Sequence, residues 1–158
     1  MTNELFTERV DNAKQKLYKT AMLYMGSHSA AVDVLDEAIY KAWCARNKLR
    51  QEAYFDTWIT RILLNECHNE LRRQKRLSPI DELAEMPEEE LDHLPLKEAI
   101  RHLSKELKDV VILRYFSGFT LAETAQMLKI PQGTAASRQR KALKLLRLEL
   151  EEEVPHES

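Results

Sequence analysis

Apolar residues recur along this chain at three- and four-residue steps, the spacing of one face of an α-helix. Over residues 4–25 the set is Leu5, Val10, Ala13, Leu17, Ala21 and Tyr24, and Gly26-Ser27 ends the run. A second set, Ala31, Val34, Leu35, Ala38, Ile39, Ala42 and Trp43, predicts a helix over about 29–47, with Asp33, Asp36, Glu37 and Tyr40 on its other faces. A third segment, 55–76, carries two stripes. Phe55, Ile59, Ile62 and Leu63 form the apolar one. Thr57, Arg61, Asn65, His68, Arg72 and Lys75 form a polar and cationic one, with Trp58 beside it. The segment closes on Arg72-Arg73-Gln74-Lys75-Arg76.

The later part of the chain has a different rhythm. Leu96, Ile100, Leu103, Leu107, Val110, Val111 and Leu113 suit one or two amphipathic helices, and Ser117-Gly118-Phe119 breaks them. Thr120 followed three residues later by Glu123 is a capping-box signal, and a short apolar pattern continues through Ala125, Leu128 and Ile130. A second break, Lys129-Ile130-Pro131-Gln132-Gly133-Thr134, contains a proline suited to open a helix, because its missing N–H costs nothing there. The helix that follows is expected to run to about Leu150. At roughly 100° per residue, Ala135, Ala142 and Leu146 fall within about 40° of one another. Leu143 and Leu150 widen that apolar side. Ser137, Arg140, Lys141, Lys144 and Arg147 occupy the far arc, and Thr134 lies near the N-terminal end, where a recognition helix meets base edges. A short helix, a tight turn and a longer helix with a basic outer face form a helix-turn-helix candidate.

Composition narrows the fold class to all-α. Of 158 residues, 44% are hydrophobic, enough for a core, and only 3 are Gly. No run reaches the roughly 18 apolar residues of a membrane span, and MTNELFTERV lacks the basic-then-apolar order of a secretory signal. The expectation is a cytoplasmic helical protein with no membrane insertion. Its formal net charge of −2 argues against nucleic acid until its distribution is considered. Residues 77–100 hold eight anions and one cation, whereas 101–150 hold ten cations and four anions. Like charge mixed with Pro79 and Pro87 marks a linker. Two small helical lobes, 1–76 and 95–150, are therefore expected, joined by an acidic linker (77–94) and followed by an acidic tail (151–158).

Cations on a helix face contact phosphates, Asn pairs bidentately with a base edge and Trp stacks on a base, so both the 55–76 stripe and the 131–150 face suit DNA. Enzyme chemistry finds no support. Cys67 and His68 are adjacent and cannot comfortably meet one tetrahedral metal, the other histidines are scattered, and no Gly-rich phosphate loop occurs. No cofactor and no metal are expected.

In this order the segments resemble the extracytoplasmic-function (ECF) group of bacterial RNA polymerase sigma factors, the smallest members of the sigma-70 family. The likeness spans about residues 17–147. Residues 31–43 are similar to that family's acidic helix ending in Ala-Trp. Phe55-Asp56-Thr57-Trp58-Ile59-Thr60-Arg61-Ile62 with Asn65 is similar to its promoter-reading helix. Leu113-Arg114-Tyr115-Phe116, Gly118 and Thr120-Leu121-Ala122-Glu123 are similar to the start of its second DNA-binding domain, and Pro131-Gln132-Gly133-Thr134 with Ser137-Arg138 to the recognition helix. The resemblance implies a sigma-2-like and a sigma-4-like domain that bind the polymerase core (beta-prime and beta subunits) and promoter DNA, and an anti-sigma partner.

By the same resemblance, Asp33, Asp36 and Glu37 contact the beta-prime coiled coil. Residues 46–54 cradle a flipped base of the minus-ten element. Arg61, Asn65 and Arg72 line that strand-capture surface. Ser137, Arg140, Lys141 and Lys144 enter the major groove of the minus-thirty-five element, while Thr134, Arg138 and Arg147 hold phosphates or the helix register. The chain departs from the family pattern at Ala136 and Leu143, where basic residues are frequent, at Gln139, where an apolar residue is frequent, and at Lys129, where Gly often makes the turn. The acidic linker and tail carry two readings, shields for the basic faces or solvated spacers, of which spacers are the plainer. A helix-turn-helix regulator that does not bind polymerase is the competing function. It has no need for the acidic helix and the Arg61/Asn65/Arg72 stripe together.

Overall fold

The computed structural model describes residues 1–77 and 94–153, and every regular element among them is helical. In chain order they are α1 (Asn3–Met25), α2 (His28–Cys44), two 3-10 turns (Arg46–Lys48 and Glu52–Tyr54), α3 (Phe55–Leu77), α4 (Leu94–His102), α5 (Lys105–Val111), a π-helical turn (Ile112–Phe116), α6 (Leu121–Leu128) and α7 (Gln132–Glu153). The chain divides into two compact units, Met1–Pro87 and Glu88–Ser158. Apart from Leu77 and Leu94, the expected linker lies outside the described residues.

In the first unit α1, α2 and α3 pack pairwise into a three-helix bundle. Thr2 and Ser27 cap α1 and α2, accepting from the N–H of Leu5 and Ala30. Gly26 ends α1 at φ 77°, a left-handed conformation that glycine adopts without a Cβ penalty. The core contains Leu17, Ala21, Tyr24, Ala31, Val34, Leu35, Ala38, Ala42, Phe55, Ile59 and Leu63. Phe6, outside the expected apolar set, is also buried, while Leu5 is half-buried. Its ring meets Trp43 edge-on at 5.3 Å and Phe55 at 6.0 Å, so one side chain joins all three helices.

The second helix ends at Cys44, three residues before the expected Asn47. Ala45 leaves helical geometry, and Arg46 folds back with its guanidinium 3.7 Å above the Trp43 ring while Nη1 donates to the Trp43 carbonyl at 2.9 Å.

In the second unit α7 packs against α4, α5 and α6. Ala135, Ala142 and Leu146 are buried, as the wheel geometry requires. Leu143 is not: it is 41% exposed and does not widen the buried side, because at about 100° per residue it lies roughly 80° from Ala135, beyond the packed arc. The Leu150 side chain lies outside the described residues. The seventh helix continues three residues past the expected end, to Glu153, and 154–158 lie outside the described residues. In α6 Met127 is buried and Leu128 only half-buried. Pro131 sits just before α7, where its carbonyl accepts from Ala135 at 3.1 Å.

Two backbone devices connect these helices. The Ser117 N–H reaches back five residues to the Ile112 carbonyl at 2.9 Å, closing the π-helical turn, and Gly118 follows at φ 80°. The capping box of α6 is complete in both directions between Thr120 and Glu123. Its C-terminus closes on Lys129 at φ 57°, ψ 46°, with Ile130 N–H donating to Ala125 at 3.0 Å. Among the described residues no helix is long and apolar enough to cross a membrane, and no three His, Cys, Asp or Glu side chains are grouped to hold a metal ion.

Candidate nucleic-acid interface

The basic face of α7 is built by packing the opposite face. With Ala135, Ala142 and Leu146 turned inward, Ser137, Arg140, Lys141, Lys144 and Arg147 are all exposed. Thr134 and Arg138 are half-buried at its rim. The side chains of Arg140 and Ser137 touch at 3.3 Å, so one helical turn presents them as a pair. The surface offers hydroxyl, guanidinium and ammonium donors, the set that pairs with phosphate oxygens and with the acceptor edges of guanine.

On α3 the expected stripe is only partly open. Asn65, Arg72 and Lys75 are exposed and Arg61 is half-buried. His68 departs from the expectation: it is half-buried and meets Tyr24 edge-on at 5.7 Å, so it belongs to the packing of α1 on α3. Thr57 donates to the Tyr54 carbonyl at 3.0 Å and serves the start of the helix. Trp58 is half-buried, 5.9 Å from Phe55.

At the far end of α3, Arg72, Lys75 and Arg76 line an open cleft of about 570 Å³ together with Asn69. Asn69, three residues before Arg72, was not singled out in the sequence. Its side-chain oxygen accepts from Arg72, a pairing that i, i+3 spacing makes available. Arg73 is committed elsewhere: it forks onto Glu70 at 2.7 and 2.9 Å, which holds the Glu70 carboxyl below its usual range. From Arg50 through the second 3-10 turn, residues 50–54 are exposed, and Tyr54 is 59% exposed directly before buried Phe55.

The acidic candidates sit together on α2. Asp33, Asp36 and Glu37 are exposed, and Tyr40 lies one turn further on, also exposed. Lys41 on the same helix is held by Glu66 of α3, and that bond raises the Lys41 ammonium above its ordinary value. The cation is therefore bound to α3, and Asp33, Asp36 and Glu37 present a negative surface to solvent.

Comparison with known proteins fits this division. The sigma-70 region 2 model matches residues 10–77, and the sigma-70 region 4 model matches residues 99–148. The chain is 29% identical to the RNA polymerase sigma factor SigV of Bacillus subtilis (strain 168), covering 96% of this chain and 95% of that one. It is 26% identical to the ECF RNA polymerase sigma factor SigW of the same organism, over 93% of this chain and 89% of that one. Its fold is similar to that of the sigma factor RpoE solved in complex with the anti-sigma factor NepR from Bartonella quintana. That match has a TM-score of 0.79 and 24% identity, and covers 92% of this chain and 96% of that one. With region 2 on the three-helix unit and region 4 on the helix-turn-helix unit, the chain belongs to the sigma-70 family, in its ECF group of RNA polymerase sigma factors.

Proposed function

We propose that this sigma factor divides its work among three surfaces. The acidic face of α2, Asp33, Asp36 and Glu37, engages a basic element of the polymerase core. Arg61, Asn65 and Arg72 of α3, with the 46–54 loop beside them, take the opened strand of the minus-ten element. Ser137, Arg140, Lys141 and Lys144 of α7 read the minus-thirty-five duplex, while Thr134, Arg138 and Arg147 hold its backbone. The protein forms no covalent bond. It offsets the few kcal/mol needed to unstack a base with contacts made only by the opened strand. It works in the cytoplasm, in two lobes carried by an acidic linker, and an anti-sigma protein holds it inactive by covering these surfaces.

The observation that carries this reading is the coexistence of a solvent-facing acidic helix in one unit and a basic recognition helix in the other. A regulator that binds DNA alone has no use for the first. The test is co-purification with core polymerase. The wild-type chain is expected to bind core stoichiometrically. The variant carrying Asp36→Lys and Glu37→Lys is expected to bind at least about tenfold more weakly, since opposed like charge at an interface costs several kcal/mol, while its affinity for duplex DNA does not fall. Stoichiometric core binding that survives both substitutions would remove α2 from the interface.

A further inference from the structure

Gln139 breaks the pattern of the helix it stands on. At about 100° per residue it falls roughly 40° from Ala135 and 20° from Leu146, on the side of α7 that packs inward. A polar amide there costs stability unless it is bonded. Its Oε1 accepts from Nε of Arg114 at 3.0 Å, in a half-buried contact. Arg114 stands in the π-helical turn, and Nη1 of the same guanidinium donates to the carbonyl of Phe119 at 2.9 Å. One planar fork therefore fastens three pieces together: the turn that carries it, the peptide just before the capped start of α6, and α7. Arg114 also has its guanidinium carbon 5.4 Å from the Tyr115 ring.

We propose that Gln139 and Arg114 are a positioning pair that sets the rotation of α7 about its own axis, and through it which bases Ser137, Arg140 and Lys144 meet. The inference rests on the reading that α7 enters the major groove.

The physical reason is directional. An apolar side chain at position 139 would hold α7 by contact alone, which tolerates sliding. A hydrogen bond from a rigid guanidinium to an amide oxygen loses strength within a few tenths of an ångström and a few tens of degrees. Side chains on a helix reach about 5–6 Å from its axis, so a 10° rotation displaces their ends by about 1 Å. That is enough to lose a bidentate base contact while leaving phosphate contacts within reach. Gln139 and Arg114 need touch no DNA for this; they act through the side chains on the far arc.

Holoenzyme assembled from core polymerase and this chain is used to select from duplexes whose minus-thirty-five element is randomised. The wild-type chain is expected to enrich one motif. Gln139→Leu fills the inward position without an acceptor. It is expected to lower the preference for that motif over its single-base variants by about tenfold, with helical content and binding to random-sequence duplex unchanged within about twofold. Gln139→Glu keeps an acceptor for Arg114 and restores the wild-type motif. Arg114→Lys, which cannot make both bonds, behaves like Gln139→Leu, and the double variant is no worse than either single one.

If Gln139→Leu selects the wild-type motif with undiminished preference, the proposal is wrong. If Gln139→Leu does not fold, Arg114→Lys and Gln139→Glu decide on the same readout: relaxed with the first and retained with the second supports the pair, and any other result overturns it. If the wild-type holoenzyme enriches no motif, the DNA-reading assignment of α7 fails first and takes this inference with it.

Discussion

Lys129 shows how much a single residue can carry. The left-handed conformation that ends α6 is one a residue with a Cβ resists by roughly 1–2 kcal/mol, and Lys129 is the non-glycine residue with positive φ among those described. It is retained because Ile130 N–H and the cap close the last turn only in that geometry. Lys129→Gly is expected to raise unfolding stability by about 0.5–1 kcal/mol after the extra chain entropy of glycine is subtracted, measured by urea denaturation. The position was legible as a turn from Lys129-Ile130-Pro131 and, by the resemblance, as one where Gly is frequent; its dihedrals show that Lys129 takes the left-handed conformation itself. Lys108 makes a second residue-scale prediction. Burial pushes its ammonium below the ordinary 10.5, the nearby Asp109 opposing and Arg101 adding to the shift. Between the folded and unfolded pKa values the unfolded chain binds more protons, so stability rises with pH in that alkaline window, up to about 10.5. Lys108→Met is expected to lose this rise relative to wild type, seen as a difference in urea midpoint between neutral and alkaline pH.

At the scale of elements, periodicity predicted most of the buried positions of the long helices, although Ile39 and Trp43 of α2 are only half-buried and Leu143 of α7 is exposed. In α2, Ala31, Val34, Leu35, Ala38 and Ala42 are all in the core. It served less well in the two-turn α6, where Met127 rather than Leu128 is buried, because one residue of drift is a large part of so short a helix. His68 shows a second limit: its position on the wheel matched the cationic stripe, but the neighbouring α1 supplied Tyr24, and only tertiary packing decides between them. The bond from Arg114 to Gln139 joins residues 25 apart in sequence, beyond any local pattern. The exposed face of α7 makes its own prediction. Arg147→Ala is expected to weaken binding of the holoenzyme to all duplexes alike and to reduce the slope of log affinity against log salt by about 1. Arg140→Ala should instead cost about 1–3 kcal/mol at one base position and relax the preference there. Equal losses of preference in both variants would contradict the division of α7 into base-reading and backbone-holding residues.

For the whole molecule, the formal net charge of −2 is a sum over parts of opposite sign. An acidic face on α2 and a basic face on α7 suit the proposed contacts with a polymerase and with duplex DNA, and neither face is visible in the total. The family was legible because its marks are spread along the chain, with region 2 at residues 10–77 and region 4 at 99–148. The individual contacts were less so, because a solvated cation and a phosphate-binding cation look alike in sequence. This chain gives a polymerase its choice of promoter. The most direct test is genomic run-off transcription with purified core polymerase, with and without this protein, followed by mapping of transcript 5′ ends. New discrete starts are expected, sharing one upstream pair of motifs near minus thirty-five and minus ten. A set of starts identical with and without the protein would contradict the account.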